Sequence, residues 1–248
     1  MNRGAVIAFS AQLREARENA LRDSEAFDGI IHVVERLGSF LDQKISDLGK
    51  YKEKIDEKAR YSALAKDVPD QWRSIHVPFD LLYDLVKNAR NDAVHQGAFA
   101  RRLTGHAIEL SLVLEDALKR SLDSPTVGDY MVRNPICAEL WQPISFVRQQ
   151  MLANSFSFLP VKRGTDWCLL SDLDIASYLG TDVPERRKRL AQNLDAAGIP
   201  MQPAKFCPVD TPLEEALRML NGSQNPLLVC VRNGEPVPIG IVAPFDFL

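Results

Sequence analysis

Arg90 and Asn91 stand side by side and His95 follows four positions after the asparagine, in a stretch that reads Arg-Asn-Asp-Ala-Val-His-Gln-Gly from 90 to 97. A guanidinium carries a permanent positive charge, an amide offers a donor and an acceptor, and an imidazole titrates near neutrality. Phosphodiester cleavage needs such parts: an acid or base at the bridging oxygens and fixed positive charge beside the crowded phosphoryl group. On a helix, Asn91 and His95 share a face, and the long arm of Arg90 reaches the same space. A bland alternative stands beside this one. Cationic residues near a helix end serve more often as caps or surface pairs than as catalysts, and Asp92 offers a local ion pair of small worth.

The elements that must hold this stretch are helical. From Asn2 to Leu122 the chain has only two prolines, Pro69 and Pro78, and almost no strand-like alternation. Spacing predicts a first helix over Ala5 to Leu21, with Val6, Phe9, Leu13, Ala16 and Ala20 on one face. Ser24 suits the N-cap of a second, whose stripe Phe27, Ile30, Ile31, Val34, Leu37, Leu41, Ile45 and Leu48 keeps a helical period, with Gly38 and Gly49 as weak points. Residues 51–66 are charged on most faces, with Ile55, Tyr61 and Leu64 as anchors, and read as a solvated extension or a short extra helix. Val68-Pro69-Asp70 breaks the pattern, and Pro78 suits the first turn of a third main helix carrying Phe79, Leu82, Leu85, Val86, Ala89 and Ala93. A final stripe runs Leu103, Ala107, Leu110, Leu114, Ala117, Leu118 and Leu122. Long helices joined by short connections pack as an up-down bundle, so four main helices are expected.

The fragment from Leu85 to His95, late in an all-helical bundle, resembles the signature of HEPN domains: Arg, a polar residue, a short spacer, His. Arg90, Asn91 and His95 match it. The resemblance implies a four-to-five-helix bundle, commonly dimeric, and in active members a metal-independent endoribonuclease with no catalytic cofactor. It further implies a composite site. One histidine does not easily deprotonate the ribose 2′-OH and protonate the leaving 5′-oxygen, whereas two copies about a two-fold axis supply two histidines and two arginines. His95 would be acid or base, Arg90 would stabilise the phosphorane charge and Asn91 would orient one of them. Products would carry a 2′,3′-cyclic phosphate and a 5′-OH. Arg101, Arg102 and His106 would extend a phosphate-binding surface, or form a solvated helix face. Some HEPN domains only bind RNA or dimerise.

Near residue 124 the texture changes to short apolar strands and frequent prolines, giving expected domains of 1–123 and 124–248. The order helix, strand, turn, strand occurs twice: Pro143–Met151, Phe156–Val161, Arg163–Asp166 and Trp167–Ile175, then Pro212–Leu220, Pro226–Val231, Asn233–Glu235 and Pro238–Phe247. This duplication, with a leader Val127-Gly128-Asp129-Tyr130-Met131 and Pro135, resembles a pair of CBS domains, first copy 125–180 and second copy 200–248. The fold class expected is therefore α plus α/β, a helical bundle followed by tandem β-α-β-β-α repeats. In the family pattern, Gly, two apolar residues, Ser or Thr, two variable residues and Asp mark the strand-to-helix corner. Ser171 and Asp174 match the hydroxyl and the acid, with Cys168 in place of the glycine. Gly240 and Asp246 match in the second copy, where Ala243 replaces the hydroxyl. A carboxylate there accepts both ribose hydroxyls, the serine sits near phosphates, and adenine slots between apolar strands such as the one holding Leu159-Pro160-Val161. The resemblance implies an adenine nucleotide (AMP, ADP or ATP-like) as a regulatory ligand, with at most one well-formed site at Ser171 and Asp174 and a possible second at Asp246.

Composition bounds the rest. A net charge of −3 does not mark a nucleic-acid binder, so RNA contact would rest on a local patch. Pro184-Glu185-Arg186-Arg187-Lys188-Arg189-Leu190 is the most basic run, read first as a solvated helix start and second as a phosphate-facing strip. Cys137, Cys168, Cys207 and Cys230 are widely spaced without a CxxC pair, which favours reduced thiols over zinc or a disulfide framework. No apolar run approaches the roughly 20 residues of a membrane span, and the N-terminus lacks a full signal core, so a cytoplasmic protein without membrane contact is expected. A Gly-rich phosphate loop, nucleophile elbow or metal cluster is not seen, which argues against a metabolic enzyme. The reading is a nucleotide-regulated, homodimeric endoribonuclease acting on RNA; its rival is a non-catalytic sensor, dimerisation or RNA-binding adaptor.

Overall fold

The computed structural model describes residues 1–93, 100–223, 225–232 and 236–248. The chain divides into two compact units, Met1–Ser124 and Pro125–Leu248. The first is helical among its described residues: α1 (Arg3–Arg22), α2 (Asp28–Asp42), α3 (Leu48–Ala59), α4 (Asp67–Gln71), α5 (Phe79–Ala93) and α6 (Ala100–Arg120). Asn2 caps α1 by accepting from the Ala5 amide at 2.8 Å, and the buried face is Val6, Ser10, Leu13, Ala16 and Ala20. α1 packs on α2 and α6, α2 on α3, and α5 on α6, around one apolar core.

The second predicted helix is corrected in two ways. It begins at Asp28 after a 3-10 turn over Ser24–Phe27, and it stops at Asp42, where Gln43 takes a left-handed φ of 57°. Ile45, expected in the core, is 98 % exposed. Gly38 is no weak point. The helix runs through it because the Tyr51 ring lies against it, and a Cβ there would come within 2.6 Å of Tyr51 Cβ. Tyr51 belongs to α3, so of the two expectations for this stretch the short extra helix holds and the solvated extension does not: Leu48, Tyr51, Ile55 and Ala59 form a buried stripe that docks on α2. Asp47 caps α3 by accepting from Lys50 N. Pro69 sits inside the five-residue α4, and Pro78 directly precedes α5, its carbonyl accepting from Leu82 N at 2.9 Å.

Among the described residues, a part-buried ion pair crosses this unit. Arg17 Nε donates to Glu115 Oε1 at 2.9 Å and a terminal nitrogen donates to Oε2 at 3.2 Å, while Ser111 Oγ donates to Oε1 at 2.9 Å. Desolvation opposes such a pair, and the bidentate geometry with a third donor offsets it. The hydrogen bond to Glu115 raises the Arg17 pKa against the effect of burial.

The second unit contains β1 (Val132–Arg133), α7 (Ile144–Asn154), β2 (Phe158–Arg163), β3 (Asp166–Ser171), α8 (Asp172–Leu179), α9 (Val183–Ala191), α10 (Leu194–Ala197), β4 (Gln202–Pro203), β5 (Lys205–Pro208), α11 (Leu213–Leu220), β6 (Leu227–Cys230) and β7 (Gly240–Val242), ending in a 3-10 turn over Pro244–Phe247. Two sheets form, ordered β2-β3-β4 and β1-β7-β6-β5. A two-residue turn at Gly164-Thr165, with Gly164 at φ 62°, closes the β2–β3 hairpin.

The two copies exchange strands. β1, at the start of the stretch 125–180, pairs with β7 of the stretch 200–248, and β4, at the start of 200–248, pairs with β3 of 125–180. The leaders exchange in the same sense: Val127 N donates to Thr211 O and Gly128 N to Val209 O, while Leu194 N donates to Gln142 O and Asp195 N to Leu140 O. Matching bridges join Thr126 to Pro212 and Pro143 to Asn193. Each copy's sheet is therefore finished by a strand that chain order assigns to the other, and each keeps its own apolar core.

Candidate functional site

The registers make the two copies superposable in sequence. Val161 pairs with Cys168 as Val229 pairs with Gly240; Cys168 then pairs with Pro203 as Gly240 pairs with Arg133. Ser171 and Asp174 thus correspond to Ala243 and Asp246, and Asp172 corresponds to Pro244. Gly240 has a packing role that Cys168 does not share, since a Cβ there would lie 2.9 Å from Met131 Cγ and closer still to its sulfur.

At the first corner, β3 delivers Ser171 in extended conformation, φ −93° and ψ 158°, and α8 starts at once. The serine hydroxyl accepts from Asp174 N at 3.1 Å and donates to Asp174 Oδ2 at 2.6 Å, and the Ser171 amide donates to the same oxygen at 3.1 Å. This is a capping box. Its local work is to satisfy orphan helix donors, and it also fixes the carboxylate rotamer at the mouth of the corner. The Asp172 amide donates to Ser157 O at 2.9 Å, tying the corner to the segment before β2. At the second corner the Ala243 amide donates to Asp246 Oδ2 at 2.8 Å, with no hydroxyl available. Sequence reading missed a third member: Thr126 N donates to Asp129 Oδ2 at 2.7 Å and Thr126 Oγ1 lies 3.2 Å from it. The hydroxyl-x-x-carboxylate spacing was the signal.

The strand expected to flank adenine is β2, which holds Leu159, Pro160 and Val161. Leu159 and Val161 point into the first copy's own core, with Leu170. Strand alternation puts Pro160 and its register partner Leu169 on the other face, matching Leu228 and Ile241 in the second copy.

The basic run forms α9, which has no buried residue, and two of its cations turn back on α8. Arg189 donates to Tyr178 O at 2.5 Å and lies over the Tyr178 ring, 5.1 Å from its centre. Arg186 reaches Leu179 O at 3.5 Å. Both carbonyls belong to the last turn of α8, where positive charge is favoured. Two of the four cations therefore serve the C-terminal carbonyls of α8, while Arg187 and Lys188 are exposed.

Arg90 and Asn91 fall in the last turn of α5, with side chains outside the described set, and His95 lies outside the described residues. His106, on α6, is half-buried. The four cysteines carry free thiols, Cys207 buried and the others half-buried. Burial, then the neighbouring Cys230 and Glu215, pushes the Cys207 thiol up to about 12. Among the described residues no helix is long and apolar enough to cross a membrane.

Residues 196–248 match the family model described as CBS domain. No curated protein matches the chain. Among solved structures, the chain is similar to a Vibrio cholerae protein assigned to acetoin utilization, AcuB, at 18% identity over 50% of this chain and 88% of that one, TM-score 0.41. It is also similar to CBSX2 in complex with AMP, at 21% identity over 49% and 91% of the chains, TM-score 0.38. The CBS domain pair of protein MJ0100, in complex with 5′-methylthioadenosine and S-adenosyl-L-methionine, aligns at 16% identity over 50% and 94%, TM-score 0.40.

Proposed function

We propose that this chain is a regulatory protein whose C-terminal unit is a CBS pair holding an adenosine-containing ligand and whose helical unit delivers the output. The carrying observation is the pair of related strand-to-helix corners, one bearing Ser171 and Asp174 and the other Asp246, in a chain whose residues 196–248 match the CBS model. A carboxylate held in one rotamer at the end of a strand accepts two vicinal hydroxyls, which is the feature a ribose presents. Adenine would lie beside the apolar strand that holds Leu159, Pro160 and Val161, as the CBS resemblance implies. Isothermal titration of the full chain with adenosine, AMP, ATP and S-adenosylmethionine tests this. Binding that weakens at least tenfold in Asp174→Ala is expected, and no binding by any of the four compounds would sink the reading.

For the output, the reading that best uses the helical unit is RNA cleavage in a homodimer, by Arg90, Asn91 and His95 as assigned from the HEPN resemblance. What supports it is position: Arg90 and Asn91 end α5, α6 starts at Ala100, and the two helices pack side by side. The ligand would control cleavage by favouring one of two arrangements, which requires unequal affinity for them. The assay is cleavage of a mixed-sequence RNA with and without ligand, comparing parent with His95→Ala. Cleavage that survives in the variant refutes the assignment, and no cleavage by the parent favours the adaptor role.

A further inference from the structure

We infer that the outward face of α5 and α6 is the surface on which two copies of this chain pair, with Gly105 at the point of closest approach. Its consequence for catalysis rests on the RNA-cleavage reading above; the surface itself rests on what these two helices leave uncovered. A solvated helix face is polar and charged, and α3 has one, its exposed side chains being Lys50, Glu53, Lys54 and Glu57. The outward side of α5 and α6 is built differently. Leu81 is 51% exposed, Leu85 37% and Leu112 44%. Leu81, Leu85 and Asn88 follow one exposed line along α5, and between Leu103 and Lys119 the exposed residues of α6 are Gly105 and Leu112, two helical turns apart. The carboxylates beside them on α6 are already engaged, Glu109 by Val77 N at 3.3 Å and Asp116 by Arg120 at 2.9 Å. Because α5 and α6 pack side by side, the leucines make one charge-poor strip, the composition of an interface core.

Gly105 is an independent observation. It lies inside a helix of 21 residues, where glycine is the least favourable residue apart from proline. Its φ is not positive, and a Cβ added to it would meet nothing within 4 Å. Among the described residues nothing in its own chain therefore calls for glycine. A bare backbone on an outward helix face suits the close approach of another chain.

The occupant that fits is a second copy. A strip of leucines is complementary to itself, as the two sides of a two-fold contact must be, whereas a charged strip repels its copy. The strip also borders the half-site. Leu81 and Leu85 lead along α5 to Arg90 and Asn91 in its last turn, and Gly105 is five residues past Ala100, about 7.5 Å along α6. With the two-fold axis at Gly105, the starts of both α6 helices lie near it whichever way the helices run, so each copy supplies the arginine and histidine that the other lacks. The face is about 22 Å long, from the 15 residues of α5, and about 20 Å wide, two helix diameters. That is roughly 440 Å² of flat area, which ridges and grooves raise toward the ~800 Å² per partner of a standard interface. A dimer that dissociates on dilution is expected.

Sedimentation velocity of the full chain over a dilution series tests this, with Leu21→Glu, at an exposed leucine of α1, as control. Leu112→Glu should weaken the dimer at least tenfold. Gly105→Ala should weaken it as well, although alanine is the better helix former and the Tm should stay level or rise. A fold at least as stable with a weaker dimer is an outcome that a role confined to the monomer does not produce. A monomeric parent overturns the inference, as do Gly105→Ala and Leu112→Glu dimers as tight as the parent's, or a loss in Leu21→Glu equal to theirs. RNA cleavage is read in the same samples. A parent that pairs through this strip and cuts no RNA defeats the cleavage reading and leaves the interface standing.

Discussion

Replacing Gly240 by alanine probes the strand exchange on which both corners depend. Gly240 lies on β7 opposite Arg133 of β1, and the buried Met131 side chain closes over it. An added methyl would sit 2.9 Å from Met131 Cγ and 3.2 Å from its Cβ. The thioether can rotate away, but the Cβ is fixed by the β1–β7 pairing, so the overpacking cost falls at about 2–3 kcal/mol. Met131→Ala alone opens a cavity and costs about 2–4 kcal/mol. In the double variant the clash with Cγ and sulfur is gone and only the 3.2 Å contact remains, so the two changes should be sub-additive by about 1–2 kcal/mol. Urea unfolding in a Trp72→Phe background, where Trp141 and Trp167 report the α/β unit, measures all four corners of the cycle. Strict additivity, or a Gly240→Ala variant as stable as its parent, would refute the exchange of leaders.

Gly38→Ala should destabilise the helical unit by about 3 kcal/mol or more, because the added Cβ meets a Tyr51 side chain that is fully buried and whose hydroxyl donates to Lys44 O at 2.9 Å; an unchanged melt would contradict the α2–α3 contact. Glu115→Ala leaves Arg17, at 15% side-chain exposure, without its hydrogen-bonded carboxylate and should cost about 2–3 kcal/mol, whereas Arg17→Met with Glu115→Leu should cost clearly less in the same urea assay. Tyr83→Phe removes a buried bond donated to Leu48 O at 2.8 Å and should cost about 1 kcal/mol in a thermal melt. Burial holds the Cys207 proton up to about 12, while an unfolded thiol releases it from 9.0 upward, so the unfolded chain binds fewer protons in that window. Stability present below pH 9 is then lost as pH rises, by at most about 1.4 kcal/mol per unit, and Cys207→Ala should flatten that slope; a parent whose stability is level from pH 9 to 11 would contradict it.

The helices and hairpins were legible because their causes are local. The stripes on α1, α5 and α6, Pro78 ahead of Phe79 and the hydroxyl-x-x-carboxylate at Ser171 all act within a turn or two of chain. The repeated helix-strand-turn-strand order, and with it the pairing of Asp174 with Asp246, was likewise readable from period and spacing. The misreadings share a different cause. Ile45 and Leu48 continue one apolar stripe on paper, yet a single left-handed residue, Gln43, sends them to water and to the core respectively. Residues 51–59 look solvated until Tyr51 is set against Gly38 of another helix.

By its own residues the sequence determined a helical segment followed by a duplicated α/β segment, with Arg90, Asn91 and His95 in the first and two carboxylate corners in the second. Which strand completes which sheet was decided only in three dimensions, because backbone donors and acceptors are the same at every residue and a strand's partner is chosen by what the rest of the chain leaves open. The same holds for charge. Arg186 and Arg189 belong to one basic run in sequence, but the C-terminal carbonyls of α8 hold them, a pairing that only the folded chain brings about because α8 and α9 are set side by side.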